Sequence, residues 1–336
     1  MKNIYIIIIN WNGTTDTIEC LESIFEHEPT CVINIVLVDN KSDDENLKQL
    51  KKWLSNLSIS VNWLKYENFI LEQQNNINKS QIIGKEKTSK AIHFISSDRN
   101  LGFCDANNLG IAYASENHAD YALILNNDTT IDSCALTNLI HASEGVSDDH
   151  ILSPSIHYYH KKNTIWWCGG KFNRWLSPSY SLQGESSSNK STKLVESDWV
   201  SGCATFIPIP VYKKIGLYDP KYFIWCEEWD LSLRATSKNI KLFVAPTSIV
   251  YHKVGKSLGI VSPLTFFYAF RNMIMLRKKH LSKPMYLLHS IAYIPYKFLQ
   301  AIIYSIKNRN ILFLYAFTDG LTGGFGNGHG KWKKQK

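Results

Sequence analysis

Residues 4–13 read Ile-Tyr-Ile-Ile-Ile-Ile-Asn-Trp-Asn-Gly, a β-branched run that stops at polar residues. Apolar side chains at successive positions predict an interior strand of a parallel sheet. Residues 16–26 then carry apolar side chains at helical spacing, and residues 33–38 form a second apolar run. Strand, helix and strand in this order predict a βαβ unit, and therefore an α/β fold.

Polar residues follow each predicted strand. The second strand ends in Asp39-Asn40-Lys41-Ser42, and a third apolar run, residues 121–125, ends in Asn126-Asn127-Asp128. Ligands of α/β proteins bind at the carboxyl ends of the strands, and carboxylate oxygens suit a divalent cation that holds phosphates. The same residue types also form ordinary turns, so the pattern leaves both interpretations open. The chain lacks a Gly-x-Gly-x-x-Gly motif after the first strand and a Gly-Lys-Ser/Thr loop, which argues against dinucleotide-binding proteins and P-loop NTPases.

Residues 222–234 read Tyr-Phe-Ile-Trp-Cys-Glu-Glu-Trp-Asp-Leu-Ser-Leu-Arg and place three carboxylates within four residues, among aromatics. Burying a carboxylate is costly unless it is paired or bound to a metal. If a helix opens at Glu228, Arg234 lies one turn beyond Asp230 and neutralises it. Glu227 and Glu228 then lie at the helix N-terminus, where the helix dipole favours negative charge. The pattern predicts a general base facing a cleft, with a solvated helix start as the alternative.

Composition and charge narrow the class of protein. The chain has 336 residues, 44% of them hydrophobic, enough for one large domain with an appendage. Seven cysteines without a Cys-x-x-Cys pair indicate reduced thiols and a cytosolic compartment, and the first residues do not resemble a signal peptide. The polar residues 70–90 and 186–191 predict surface loops.

Positive charge is concentrated in the C-terminal part. From Arg271 onward the chain has 12 Lys and Arg and a single acid, a net charge of +11, so residues 1–270 carry −3 of the total of +8. Residues 285–306 predict a helix, and Lys297 and Pro295 argue that it does not span a membrane. Either it lies on an anionic membrane surface or it packs on the catalytic domain. No nucleic-acid-reading motif is present, so nucleic acid is not an expected partner. One face of this helix carries Leu288, Ile291, Ala292, Pro295, Leu299, Ile302, Ile303 and Ile306.

Taken in order, these motifs resemble family 2 glycosyltransferases with the GT-A fold, in the rhamnosyltransferase-like branch that builds bacterial surface polysaccharides. Each segment alone is weak, and their common order along the chain carries the resemblance. The matching segments are Ile6–Gly13, Val36–Ser42, Asn100–Phe103 with Asn107–Gly110, Asn126–Asp128, Ser201–Ala204, Ile215–Asp219, Glu227–Leu231 and Pro246–His252.

The resemblance implies a Rossmann-like, mostly parallel central sheet flanked by helices, with a C-terminal helical extension. Residues 1–258 would form the catalytic domain, with a nucleotide-sugar half up to about residue 130 and an acceptor half beyond it. Residues 259–336 would form the basic, aromatic helical region.

The resemblance also implies the site. Glu228 would be the general base, with Glu227 as the other candidate, and Asp128 and His252 would hold Mg²⁺ or Mn²⁺. Two departures from the family motifs matter: the metal motif has a single Asp, and the catalytic pair is Glu-Glu rather than Glu-Asp. Asp39 would contact the nucleotide base. The remaining implied donor-site residues are Asn10, Asn12, Asn100, Gly102, Asn107 and Asn127, and further site candidates are Asp230, Arg234 and Trp225.

The implied reaction is an inverting transfer from a nucleoside diphosphate sugar, dTDP-rhamnose or a UDP-sugar, to a saccharide acceptor in O-antigen or capsule synthesis. The acceptor would be lipid-linked, and the enzyme a cytoplasmic protein peripheral to the inner face of the cell membrane. Two other classes stay open. A nucleotidyltransferase of sugar phosphates normally has a Gly-rich, basic phosphate loop, but residues 11–15 have one Gly and no Lys or Arg. A non-catalytic saccharide-binding subunit would not need the Glu227–Glu228 pair.

Overall fold

The structure, a computed structural model, describes residues 2–26, 31–65, 90–147, 149–187, 192–254, 262–322 and 332. The predicted loop at 70–90 lies outside the described residues except for Lys90, and so do residues 188–191 of the predicted loop at 186–191.

The predicted βαβ unit at the N-terminus is confirmed. Strand β1 (Asn3–Asn10) is followed by helix α1 (Thr14–Phe25) and strand β2 (Val32–Asp39), and β1 and β2 pair in parallel. The isoleucines of β1 are buried on both faces of the sheet, or nearly so, which explains why the run does not alternate with polar residues. The third predicted strand is β5 (Tyr121–Asn126), which pairs in parallel with β1 on its other side.

The central sheet is mixed and mostly parallel on its N-terminal side, which confirms the predicted α/β class. The other described strands and α-helices up to residue 252 are α2 (Asp44–Ser55), β3 (Ser60–Lys65), β4 (Lys90–Ser96), α3 (Gly102–Glu116), β6 (Thr129–Ile131), α4 (Ala135–Glu144), β7 (His150–Tyr158), β8 (Lys161–Trp167), β9 (Gly170–Phe172), β10 (Pro178–Tyr180), β11 (Val195–Glu196), β12 (Ala204–Pro208), α5 (Ile209–Ile215), α6 (Glu227–Ser237) and β13 (Lys241–His252). Strands β3, β4, β2, β1 and β5 are parallel neighbours, β12 is antiparallel to β5, and β13 is parallel to β7.

The strand ends meet at one edge of the sheet. Because β1, β2 and β5 are parallel neighbours, their terminal residues Asn10, Asp39 and Asn126 lie side by side. Strand β13 reaches the same place from the other half of the chain, since it pairs antiparallel with β6 and places His252 opposite Thr129. The register therefore brings His252 next to the polar turn that follows β5.

Among the described residues beyond β13, three helices follow: α7 (Pro263–His280), α8 (Lys283–Lys307) and α9 (Leu312–Thr322). Helix α7 packs on α9, where Phe270 stacks on Phe317 with ring centroids 4.9 Å apart. A Cβ on Gly320 would lie 2.8 Å from Phe270, so only glycine allows this close approach. The predicted helix at 285–306 is contained in α8, and Pro295 lies inside the helix without ending it.

The apolar face predicted for α8 points outward. All but Ile302 of its eight members are exposed, and Ile291 and Ile306 are each 73% exposed. The opposite face, with Tyr293 and Lys297, is the more buried one. No helix in the described parts of the chain is long and apolar enough to cross a membrane.

Candidate active site

A cavity of about 560 Å³ opens at the carboxyl edge of the sheet. Its wall combines the loop after β1, the start of α3, the turn after β5, the loop before α6 and the first part of α7. Seven of the predicted site residues line it: Asn12, Asn100, Gly102, Asn107, Asn127, Asp128 and Trp225.

Asp128 and His252 form a pair at this cavity. The His252 Nε2 atom lies 3.2 Å from Asp128 Oδ1. Two ligand atoms bound at right angles to one cation at about 2.1 Å would lie about 3 Å apart, so the pair fits adjacent positions of a single divalent ion. In the described parts of the chain no group of three or more His, Cys, Asp or Glu side chains could hold a metal ion. An ion at this pair would therefore take its other ligands from substrate or water.

Asn10 and Asp39 are fully buried and bound to each other. The Asn10 amide donates to Asp39 Oδ1 at 2.9 Å and to Ser42 Oγ at 3.0 Å, and the Ser42 amide donates to Asp39 Oδ2 at 3.2 Å. Asp39 lines a second cavity, of about 500 Å³, together with Lys41 and Trp63. Asn10 therefore joins the ends of β1 and β2, while Asp39 is the residue of this pair that faces a cavity.

The start of α3 is shaped by close backbone contacts. Gly102 has a φ of +73°, and a Cβ there would lie 2.5 Å from the Phe223 ring, so the position requires glycine. Asn100 Oδ1 accepts a hydrogen bond from the Gly102 amide at 2.8 Å. Asn107 is buried, its amide donates to Phe103 O at 3.0 Å, and its Oδ1 has no hydrogen-bond partner among the described residues. An unpartnered acceptor in a cavity wall is available to a ligand.

Glu227 and Glu228 start α6, whose N-cap is Cys226. Glu227 is 4% exposed, whereas Glu228 is half-buried. The Oε2 atoms of both are buried and have no hydrogen-bond partner among the described residues. Burial raises the pKa of Glu228 to about 7, and burial together with Glu228 raises the pKa of Glu227 well above its ordinary value. The pair can therefore hold a proton at neutral pH.

Asp230 and Arg234 stabilise α6 instead of facing the cavity. The predicted pair is present, with Arg234 Nε 2.8 Å from Asp230 Oδ2. Lys279 and His280 of α7 each lie 2.8 Å from Asp230 Oδ1. Burial of Asp230 would raise its pKa, but the hydrogen bond from His280 and the charges of Arg234 and Lys279 outweigh it, so the pKa lies well below the usual range. Arg234 also donates to backbone carbonyls of residues 215–217.

Two features of the site are absent from the sequence motifs. Lys253 pairs with Asp16 and Glu19 of α1, which joins the end of β13 to the N-terminal half. A row of aromatic rings leads from His252 through Trp166 and Tyr180 toward α6, with successive ring centroids 5.0 and 6.0 Å apart. Tyr180 contacts Trp199, which in turn contacts Trp229 of α6, with ring centroids 5.1 and 6.0 Å apart. The sequence shows that Trp is abundant, but it does not show that these rings lie together, because Trp166 and Tyr180 are brought into contact by strands β8 and β10.

No family model matches the chain. A curated relative, the dTDP-rhamnosyl transferase RfbF of Shigella flexneri, is 23% identical over 243 residues, which cover 68% of this chain and 77% of that one. Among solved structures, the crystal structure of GalNAc-T7 with UDP, GalNAc and Mn²⁺ superposes with a TM-score of 0.59 and 15% identity over 83% of this chain. The chain spans about half the length of that structure, 48%. Staphylococcus aureus TarS gives a lower TM-score, 0.49, at 14% identity over 82% of this chain and 39% of that one.

The likeness to GalNAc-T7 shows the fold, which is the GT-A fold of glycosyltransferases. The curated relative carries the name of a dTDP-rhamnosyl transferase. This fold and this relative confirm the resemblance of the chain to family 2 glycosyltransferases, which the order of the motifs predicts.

Proposed function

We propose that the protein is a metal-dependent, inverting glycosyltransferase that moves a sugar from a nucleoside diphosphate sugar to a saccharide acceptor. The observation that carries the proposal is the pairing of Asp128 with His252 at a cavity whose wall also includes Trp225, in the loop that ends at the carboxylate pair of α6. The pair supplies ligands for a cation on a diphosphate, and the α6 carboxylates supply a base. A metal-dependent transfer of this kind uses the cation to stabilise the leaving diphosphate and the base to remove the acceptor proton.

The donor would bind across the two cavities. Asp39, which faces the second cavity, would accept the imide N–H of uracil or thymine, a donor that cytosine lacks. Asn107 Oδ1, unpartnered in the wall of the first cavity, would accept from a donor hydroxyl. We therefore favour a UDP- or dTDP-linked sugar. The similarity to a dTDP-rhamnosyl transferase favours dTDP-rhamnose.

Asp128 and His252 would hold the cation, Mg²⁺ or Mn²⁺. When bound, the cation would neutralise charge on the departing diphosphate. The Mn²⁺ named for the GalNAc-T7 structure agrees with this assignment. The imidazole of His252 favours transition metals, so we infer that Mn²⁺ binds more tightly than Mg²⁺.

Glu228 would take the proton from the attacking acceptor hydroxyl. It is the more accessible of the two glutamates, and the aromatic row leads to its helix, α6. The row of Trp and Tyr rings would pack against the faces of acceptor sugars. Asp128 and Asp16 are engaged with His252 and Lys253, so neither is placed as a free nucleophile. We therefore propose a single displacement with inversion.

The outward face of α8 suggests where the acceptor is found. Its exposed Leu, Ile and Phe side chains belong to a segment, residues 271–318, that contains no acid. Anionic lipid complements this segment, whereas a second copy would bring like charges together. We propose that the protein is cytoplasmic and binds peripherally to the inner face of the cell membrane. Its acceptor would be a lipid-linked saccharide of O-antigen or capsule synthesis.

Calorimetric titration of UDP, dTDP, GDP and CMP, each with and without Mn²⁺, tests the donor assignment. We expect UDP or dTDP to bind most tightly, and to lose Mn²⁺-dependent binding in the Asp128→Ala variant. Asp132→Ala, an exchange of an Asp beyond β6, is the matched control. Tighter binding of GDP or CMP would overturn the role of Asp39, and full sugar transfer in excess chelator would overturn the metal assignment.

A further inference from the structure

The loop before α6 has an unusual backbone. Phe223, Trp225 and Cys226 have φ angles of 64°, 68° and 66°, in the left-handed region that non-glycine residues seldom adopt. Such conformations persist only where the surrounding structure determines them. Cys226 is the N-cap of α6 and Glu227 and Glu228 are its first two residues. The loop therefore sets the position of the carboxylate pair.

The loop is held by two neighbouring residues of α7. Asn272 Nδ2 lies 3.1, 2.6 and 2.7 Å from the carbonyl oxygens of residues 222, 224 and 225. Arg271 Nη2 donates at 2.8 Å to the carbonyl oxygens of residues 221 and 222. The carbonyl of Phe223 accepts instead from the Phe103 amide at 2.7 Å, at the start of α3. The left-handed residues are thus enclosed by contacts from both sides.

The two holding residues are themselves fixed. Asn272 and Arg271 are 0% and 1% exposed. Arg271 Nε donates to Asn272 Oδ1 at 2.8 Å, which turns the NH₂ group of the amide toward the loop. The far end of α7 holds α6 as well, through Lys279 and His280 on Asp230.

We propose that Asn272, oriented by Arg271, is a positioning residue that fixes the strained loop and thereby the general base Glu228. The inference rests on the proposed function, because it assumes that Glu228 removes the acceptor proton. The same loop contributes Phe223, Ile224 and Trp225 to the cavity wall, beside Leu264 and Tyr268 of α7. The C-terminal helical region is therefore part of the active site and not an appendage to it.

The test compares Asn272→Ala with wild type in sugar transfer and in amide hydrogen exchange. Losing the three carbonyl contacts is expected to lower kcat by about 10²-fold, the effect of a misplaced catalytic group. Because the relaxed loop admits water to Glu228, the acid limb of the kcat–pH profile should move to lower pH. Exchange of the amides of residues 222–228 should become faster, and this readout does not depend on turnover.

Phe317→Leu is the matched control, because it loosens the α7–α9 contact without touching the loop. It should lower the Tm but leave the acid limb in place. The inference is overturned if Asn272→Ala retains kcat within a few-fold of wild type, or if neither its acid limb nor its loop exchange moves. A wild-type protein that transfers no sugar from any donor would instead remove the proposed function, while the hydrogen exchange would still report whether Asn272 holds the loop.

Discussion

Glu227 and Glu228 are adjacent in sequence but differ in their surroundings. Glu227 is nearly inaccessible, at 4% exposed, whereas Glu228 is half-buried. A base has to reach the proton that it removes, so accessibility favours Glu228. The Glu228 carboxylate adds to the effect of burial on Glu227, whose pKa lies well above its ordinary value.

Glu228→Gln is expected to lower kcat by at least ~10²-fold with donor binding retained, because the amide cannot accept the proton. Glu227→Gln should cost less. In the wild type, kcat should rise with pH through about 7, since Glu228 works only when ionised. Stopped assays between pH 5 and 9, with donor affinity measured in parallel, check this. Near-normal turnover of Glu228→Gln, with an inactive Glu227→Gln, would move the base by one residue.

The same pKa shift makes a statement about stability. The folded-state pKa of Glu228 is raised from 4.5 to about 7, so the folded protein binds more protons than the unfolded chain between these values. Stability from this group is therefore full below pH 4.5 and falls as the pH rises to about 7. Glu228→Gln, which cannot ionise, should be stabilised relative to wild type at pH 8 more than at pH 5.

Sequence reasoning could identify these residues because their chemistry is local. The sequence alone shows three carboxylates among aromatic residues in the segment 222–234, and polar residues that follow the apolar runs. The Asp230–Arg234 pair follows from helical spacing alone. The other partners of Asp230, Lys279 and His280, lie about 50 positions away in the chain. The left-handed loop was hidden too, because it has no glycine to mark it.

Among the elements, α6 and α7 are joined by a buried charge cluster at Asp230. Its carboxylate is 0% exposed and contacts Arg234, Lys279 and His280. Removing the acid leaves these groups without their counter-charge, a change that typically costs 3–5 kcal/mol. The cluster therefore ties α6 to α7, the helix that also holds the strained loop before α6.

Asp230→Asn is therefore expected to lower the free energy of unfolding by about 3–5 kcal/mol at pH 7. Because the folded-state pKa of Asp230 is depressed, its contribution is present above its ordinary pKa of 3.8 and is lost as the pH falls below that value. The difference from wild type should then narrow in acid. Urea denaturation of both proteins, at pH 7 and again in acid below pH 3.8, measures this difference in the free energy of unfolding. Asp198→Asn, which removes a partly exposed ion pair with Lys171, should cost about 1 kcal/mol or less, and equal losses in both variants would contradict the cluster.

The helix α8 marks where element-level prediction stops. The sequence places Leu288, Ile291 and Ile306 on one face, and the structure has them on one face. Periodicity cannot say whether that face turns toward the catalytic part or away from it, because the choice depends on what α7 and α9 already cover. Here Tyr and Lys side chains turn inward, with Lys297 5.6 Å above the Phe266 ring and 5.8 Å above the Tyr293 ring, and the aliphatic side chains remain outside.

At the scale of the whole molecule, charge and exposed apolar surface lie in the same region. Residues 271–336 carry +11 against −3 for the rest, and α8 and α9 carry most of the large exposed hydrophobic side chains among the described residues. Apolar patches of this kind on a protein surface mark an interaction site. The cavity of the candidate active site includes Leu264 and Tyr268 of α7, so a protein held by α8 would keep this cavity close to the membrane surface.

Vesicle flotation tests the attachment. The protein is expected to float with vesicles that contain phosphatidylglycerol, with about 1 kcal/mol gained for each Lys or Arg that reaches the surface. At 1 M salt the Debye length falls to about 3 Å, so binding should weaken without vanishing, because apolar burial is not screened.

Exchanging Ile291 and Ile306 together for Gln should remove about 3 kcal/mol of apolar burial and abolish the part of the binding that resists salt. Leu182→Gln, at an apolar position outside α8 that is 39% exposed, should float like wild type. Equal flotation of all three proteins would contradict attachment through α8, and a concentration-dependent dimer that disappears in the Ile291/Ile306 variant would mean that a second copy covers this face instead.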